Sequence, residues 1–151
     1  MKQKYHLKRF CLLAFLLFAI LAIPSMDAQA AKVKPKTGTY IKRFHGEGFD
    51  AYGTVIIKKI TKKEVTFQFC YESVLKVSYS RKIVGKRKGS TVTFQYKDMS
   101  WGEKGKGTMK LANNYIKIKA KANAHSPGYL GTGGKWYKLK RKSGSKKFRT
   151  F

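Results

Sequence analysis

From residue 38 onward, apolar residues recur at every second position. Val65, Phe67, Phe69 and Tyr71 alternate with Thr66, Gln68 and Cys70, and Val92, Phe94 and Tyr96 alternate with Thr91, Thr93 and Gln95. Ile116, Ile118, Ala120 and Ala122 alternate with Lys117, Lys119 and Lys121, while Met109 and Leu111 flank Lys110. A period of two is that of a half-buried β-strand, apolar on one face and polar on the other. The β-branched and aromatic residues in these runs suit strands. No segment after residue 30 has a helical period. The pattern predicts about eight strands, near residues 38–44, 51–60, 64–72, 74–80, 91–97, 107–111, 115–121 and 135–141. Polar turn residues separate them at Thr61-Lys62-Lys63, Lys88-Gly89-Ser90 and Asn113-Asn114. Such short gaps imply antiparallel hairpins. The fourth strand either ends at Ser80 or continues to Lys86 across a bulge or kink. The predicted fold is therefore all-β: an antiparallel up-and-down meander closed into a barrel, which removes sheet edges. A two-sheet sandwich is the alternative.

The first thirty residues follow a different pattern. Lys2, Lys4, Lys8 and Arg9 precede an unbroken apolar run over residues 10–23, followed by Pro24 and Ala28-Gln29-Ala30. A basic stretch, an apolar core of roughly 7–15 residues and a small-x-small site make up a secretory signal peptide. The run is short against the about 20 residues of a membrane-spanning helix. Cleavage is predicted after Ala30, with an uncleaved anchor as the alternative. Cys11 stands at the start of the apolar run, whereas a lipid-bearing cysteine would follow it. The predicted organisation is a helical signal peptide over 1–30, a β-barrel domain over 31–141 and a basic, flexible tail over 142–151.

Removing the signal changes how the cysteines and the charge read. Cys11 leaves with it, so Cys70 has no partner for an intramolecular disulfide. It is either a small buried hydrophobe in a strand or a reactive thiol. The whole chain carries a formal charge of +27; the segment 1–30, with four cations and Asp27, accounts for +3 of it and leaves +24. A field of that size attracts polyanions and repels other copies of the protein. Its cations beyond residue 30 are mostly lysine, with arginine only at 43, 81, 87, 141 and 149. Lysine acts as a point charge, whereas arginine gives bidentate phosphate recognition. The balance suggests bulk attraction to anionic envelope polymers or anionic lipid. Specific nucleic-acid recognition is not expected.

Candidate chemistry is sparse. The most distinctive segment is 98–107, where Asp98, Trp101, Gly102, Gly105 and Gly107 stand among lysines. One reading is a ligand-contacting loop with Trp101 stacking on a ring. The other is a glycine-rich hairpin in which Trp101 plugs the barrel end and Asp98 bonds turn N–H groups. A second loop, 123–134, carries His125 and Tyr129, and either gates a cavity or serves as a slack crossover. Its glycines precede a strand and so do not form a phosphate-binding turn. His45, Glu47 and Asp50 cluster a base with two acids, but the spacing matches no metal motif and suits an ordinary solvated turn. No enzyme, cofactor or metal is expected. Lys110, Lys117, Lys119, Lys121, Lys138 and Lys140 form lysine ladders on the polar faces of strands. They are either a polyanion-binding face or a solvated surface that blocks aggregation.

Three of these features together resemble the small secreted lipocalin-like (calycin-type) β-barrel proteins of Gram-positive bacteria. Gly38-Thr39-Tyr40 is similar to the Gly-x-Trp opening of lipocalins, with Tyr in place of Trp. Arg141 is placed like the arginine that packs over that aromatic. The D-x-x-W-G-x-x-G-x-G pattern from Asp98 to Gly107 resembles a loop of the same group. The resemblance implies an eight-stranded barrel with a possible interior pocket, and no particular ligand. Three functions are carried forward: a secreted binding protein held by charge, a carrier of a small apolar ligand, and a protein-binding module or enzyme inhibitor. Export itself is directly checkable. N-terminal sequencing of the secreted chain is expected to begin at Ala31, and a chain beginning at Met1 would refute cleavage.

Overall fold

The computed structural model describes residues 33–46, 49–123, 130 and 132–150. Nine strands follow one another: β1 Gly38–Gly46, β2 Phe49–Ile60, β3 Glu64–Ser73, β4 Val77–Tyr79, β5 Ile83–Lys88, β6 Thr91–Lys97, β7 Lys104–Leu111, β8 Tyr115–Ala122 and β9 Tyr137–Ser143. All pairings are antiparallel, and the sheet returns on itself because β1 pairs with both β2 and β9 while β2 pairs with β3. The result is a closed barrel of eight strands with β4 as a short extra one, which excludes the sandwich. The architecture is consistent with a lipocalin-like fold.

The doubtful fourth strand resolves into two. β4 pairs with Cys70, Tyr71 and Glu72 of β3, and β5 pairs with Glu64 to Phe67 of the same strand. They are two halves of one interrupted strand lying along β3. Ser80 marks the interruption: its backbone N–H donates to Phe69 O at 2.9 Å and its Oγ accepts from Phe69 N at 3.0 Å. This strand begins at Val77 and not at residue 74, because Val74 and Leu75 form the turn. β7 starts three residues earlier than its glycines suggest, and β9 starts two residues later than predicted. The segments 1–30 and 124–129, with Tyr129 and His125, lie outside the described residues.

Alternation delivers the predicted inward faces. Tyr40, Phe67, Met109, Ile116, Ile118 and Leu139 have essentially no exposed surface. Phe67 and Phe94 meet edge to face at 5.1 Å. Two glycines of β7 permit this filling. Gly105 faces Tyr96 and Gly107 faces Phe94 across the β6–β7 pair. A Cβ on Gly105 would lie 2.6 Å from the Tyr96 ring, and one on Gly107 would overlap the Phe94 ring and stand 2.6 Å from Lys119 O. Both rings occupy the space that side chains on β7 would take.

At the seam, Tyr40 is in register with Arg141. The Tyr40 hydroxyl donates to Lys36 O at 2.5 Å, and the Arg141 guanidinium donates to Thr37 O at 3.1 and 3.2 Å. Burial raises the Tyr40 phenol above its ordinary pKa.

The C-terminal segment departs from the flexible tail read from its composition. β9 runs to Ser143, and the chain beyond it lies against the outside of β2 and β3. Arg149 N donates to Gln68 Oε1 at 2.8 Å, Gln68 Nε2 donates to Arg149 O at 3.0 Å, and the Arg149 guanidinium pairs with Glu72. Thr54, Ile56, Gln68 and Cys70 point outward by alternation, yet each is buried. The missing period in 142–151 reflects a strap that uses its backbone and one arginine. Cys70 is thus a buried residue, as one of its two readings had it, and burial pushes its thiol up to about 12.

Gly107→Ala is expected to destabilise the barrel by about 1–3 kcal/mol through overpacking. Urea denaturation measures this, and an unchanged midpoint would contradict the close approach of Phe94.

Candidate polyanion-binding face

Strands β5 to β9 contain no acidic residue. Their outward positions are held largely by lysine, because each strand alternates an apolar inward residue with a polar outward one. Register then sets lysine against lysine. Lys97 faces Lys104 and Lys106 faces Lys121, and Lys117 lies between Lys110 and Lys138. Like charges directly opposite on a sheet repel and destabilise it. Asp98 and Glu103, in the loop between β6 and β7, are buried, and the exposed acid at the border of this wall is Glu64 of β3, which faces Lys86.

The outward side chains of Lys86, Lys106, Lys119 and Lys121 line an open trough of about 880 Å³. A second trough of about 730 Å³ opens where β5 and β6 part above the Lys86–Thr93 pair, and Arg81, Lys82, Lys97 and Lys104 line it. Val84, Gln95 and Lys106 belong to both, so the two are continuous. Trp136 stands at the edge of this wall, 40% exposed, with the ammonium groups of Lys110 and Lys119 at 5.4 and 5.0 Å from its ring centroid. Lys138 sits 4.4 Å from the Tyr115 ring. Such contacts hold flexible lysines over aromatic faces.

All six ladder lysines read from the sequence, Lys110, Lys117, Lys119, Lys121, Lys138 and Lys140, fall on this wall. Arg81, Lys82, Lys86, Lys97, Lys104, Lys106 and Trp136 join it without having been picked out. Their membership depends on cross-strand register, and no spacing within one strand reveals it.

The 98–107 segment divides differently from either reading. Asp98 does bond the turn, since its Oδ1 accepts from Ser100 N at 2.8 Å and Trp101 N at 3.4 Å. Gly102 takes a left-handed φ of 71°, and its N–H donates to Asp98 O at 3.1 Å. Met99 N donates to Tyr79 O at 2.8 Å and fastens the loop to β4. Glu103 Oε1 accepts from the Tyr96 hydroxyl at 2.5 Å, and burial followed by this bond raises the Tyr96 phenol. Trp101, however, is no plug. It is 43% exposed, with its indole N–H directed to Val77 O at 3.2 Å. In the connection between β8 and β9, Leu130 is buried in the core. Asp98, Gly102, Gly105 and Gly107 therefore have structural roles, and Trp101 is left on the surface.

His45 Nδ1 stands 3.2 Å from Asp50 Oδ1, and Arg43 also pairs with Asp50. The arginine holds the Asp50 carboxyl below its ordinary pKa. Glu47 lies outside the described residues. Among the described residues, no three His, Cys, Asp or Glu side chains converge as a metal site would require.

No family model matches the chain, and no curated protein or solved structure is significantly similar to it. The class that fold and face define is a closed antiparallel β-barrel with a lysine-covered outer wall.

Reversing one charge tests the repulsion. Lys117→Glu places an acid between Lys110 and Lys138 and is expected to stabilise the fold by about 0.5–1 kcal/mol at low salt. Added salt should shrink the gain. A lower melting temperature would contradict the cross-strand arrangement.

Proposed function

We propose that the chain is a secreted, non-enzymatic binding protein, akin to the small lipocalin-like barrels of Gram-positive bacteria. In this reading charge holds it on an anionic cell-envelope polymer, and the contact surface is the outer wall of β5 to β9. The observation that carries the reading is the run of lysine pairs on a wall free of acids. Those pairs repel across the strands, and no carboxylate among the described residues pairs with them. A flexible polyanion laid along the troughs would neutralise several of them and release its own counterions. Lysine suits this role because it asks for charge without fixed geometry. The signal-like N-terminus supplies the route to such a partner. The interior positions are filled by aromatic and aliphatic side chains, which gives the small-ligand carrier no support.

Affinity chromatography on a teichoic-acid or polyphosphate matrix tests the proposal. Binding is expected to weaken by about tenfold or more between 50 and 200 mM salt. The triple variant Lys106→Glu, Lys117→Glu and Lys121→Glu should elute much earlier. A variant with the same charge change in β2 and the β2–β3 turn, outside both troughs, Lys59→Glu, Lys62→Glu and Lys63→Glu, should elute closer to the parent protein. Salt-insensitive retention would overturn the mechanism, and equal losses in the two variants would overturn the assignment to this wall.

A further inference from the structure

One end of the barrel carries a feature that polymer binding does not use. Antiparallel succession brings the turn between β3 and β4 and the loop between β6 and β7 to the same end. At the tip of the first, Val74 and Leu75 are 79% and 76% exposed, the most exposed large hydrophobic residues among those described. Trp101 lies beside them, tied through its indole N–H to Val77 O at 3.2 Å.

Turn chemistry does not require these apolar residues. The turn between β2 and β3 is built in the same way. Thr61 N donates to Glu64 O at 2.8 Å, as Ser73 N does to Lys76 O. Thr61 Oγ1 accepts from Glu64 N at 2.9 Å, as Ser73 Oγ does from Lys76 N at 3.1 Å. The two tip positions are Lys62 and Lys63 in one and Val74 and Leu75 in the other. No described residue other than glycine has a positive φ, so neither tip imposes a backbone reason for its side chains. The other tips at the Lys62 end are polar too, at Gly89-Ser90 and Asn113-Asn114. The apolar tip is thus confined to one end of the molecule.

We propose that Val74, Leu75 and Trp101 insert into the interface of an anionic lipid bilayer. A two-residue tip projects as a point, which suits entry between headgroups better than capture in a protein groove. Tryptophan favours the interface, where its ring is sheltered and its polar edge satisfied. The surroundings supply the complementary charge: Arg81, Lys82, Lys97 and Lys104 line the trough flanking the Trp101 loop, which would face lipid phosphates once the tip entered. Apolar burial and attraction to anionic headgroups together set the strength of such binding. This inference shares the trough of Arg81, Lys82, Lys97 and Lys104 with polymer binding, but its insertion step uses Val74, Leu75 and Trp101 at the end of the barrel, which polymer binding does not.

The test uses secreted protein with vesicles of phosphatidylglycerol mixed with phosphatidylcholine, or of phosphatidylcholine alone. In a Trp136→Phe background, Trp101 emission is expected to shift to the blue on the mixed vesicles and to be quenched by brominated acyl chains. The double variant Val74→Ser and Leu75→Ser should bind mixed vesicles about tenfold more weakly and lose the quenching. Its retention on the anionic polymer matrix should be unchanged, and a cooperative thermal melt close to the parent's shows that it is folded. Parent and variant carry the same N-terminus, so residues 10–23 contribute equally. Vesicle binding that is unchanged in the double variant, or Trp101 emission that is never quenched, overturns the insertion. Loss of polymer retention in the lysine-wall variant bears only on the polymer reading, so the two fail separately.

Discussion

The structure depends on closing β1 against β9. That seam holds only a short ladder, Thr39 with Ser143, Tyr40 with Arg141 and Ile41 with Lys140, and its register shifts between Thr39 and Tyr40. Tyr40 compensates by having no exposed surface and by satisfying its hydroxyl on the chain just before β1. Arg141 reaches back to the same stretch through Thr37. Two side chains therefore bind the ends of the barrel to each other from opposite strands. Among the described residues no disulfide does so, since Cys70 is a free, buried cysteine in β3. Closure settles which side of every strand is inside and, with it, which lysines share the outer wall.

Filling the barrel follows from closure. Phe94 and Tyr96 are too large to share a narrow interior with side chains on the facing strand, so β7 offers Gly107 and Gly105 at those registers. The glycines that made residues 98–107 look like a ligand loop are thus the complement of two aromatic rings. Asp98 and Glu103 serve the same end of the barrel, one closing the turn and the other bonding Tyr96. Their inward orientation has an outward consequence. Two acids that might have neutralised the wall are inside, and among the described residues no carboxylate forms an ion pair with the lysines of β6 to β8.

How much of this was legible in the sequence follows from what each feature depends on. A period of two is local, so seven of the eight predicted strands needed only small changes in their bounds. The core alternation around Phe67, Phe94 and Ile118 was likewise readable. The fourth strand was left either ending at Ser80 or continuing across a bulge or kink, because what interrupts it, including the isolated bridge from Ser80 to Asp98, is not local. The contacts of the tail are hidden from the sequence for a related reason. Its anchor is a backbone amide pairing with Gln68, and backbone hydrogen bonds leave no trace in composition. Half of the lysine wall was visible as ladders along β7, β8 and β9. The other half required knowing that Lys106 faces Lys121 and that Lys97 faces Lys104. Of the two readings of Trp101, the plug fails because the ring stays on the surface, while Leu130 is buried in the core.

The distribution of polarity over the outer surface carries the last step. Where the fold needs cover outside the barrel, it provides its own: the C-terminal strap buries Cys70, Ile56 and Gln68 on β2 and β3. The same chain leaves Val74, Leu75 and Trp101 exposed and lysines facing one another on the wall. A surface shaped for solubility alone would spread its charges to limit repulsion and place polar residues at every tip. Here the repulsion is concentrated on one wall and the apolar exposure at one end. Each departs from what stability favours, and each does so locally. A partner that is both negatively charged and bordered by apolar material would relieve both, which is why the proposed polymer and lipid contacts fit one surface.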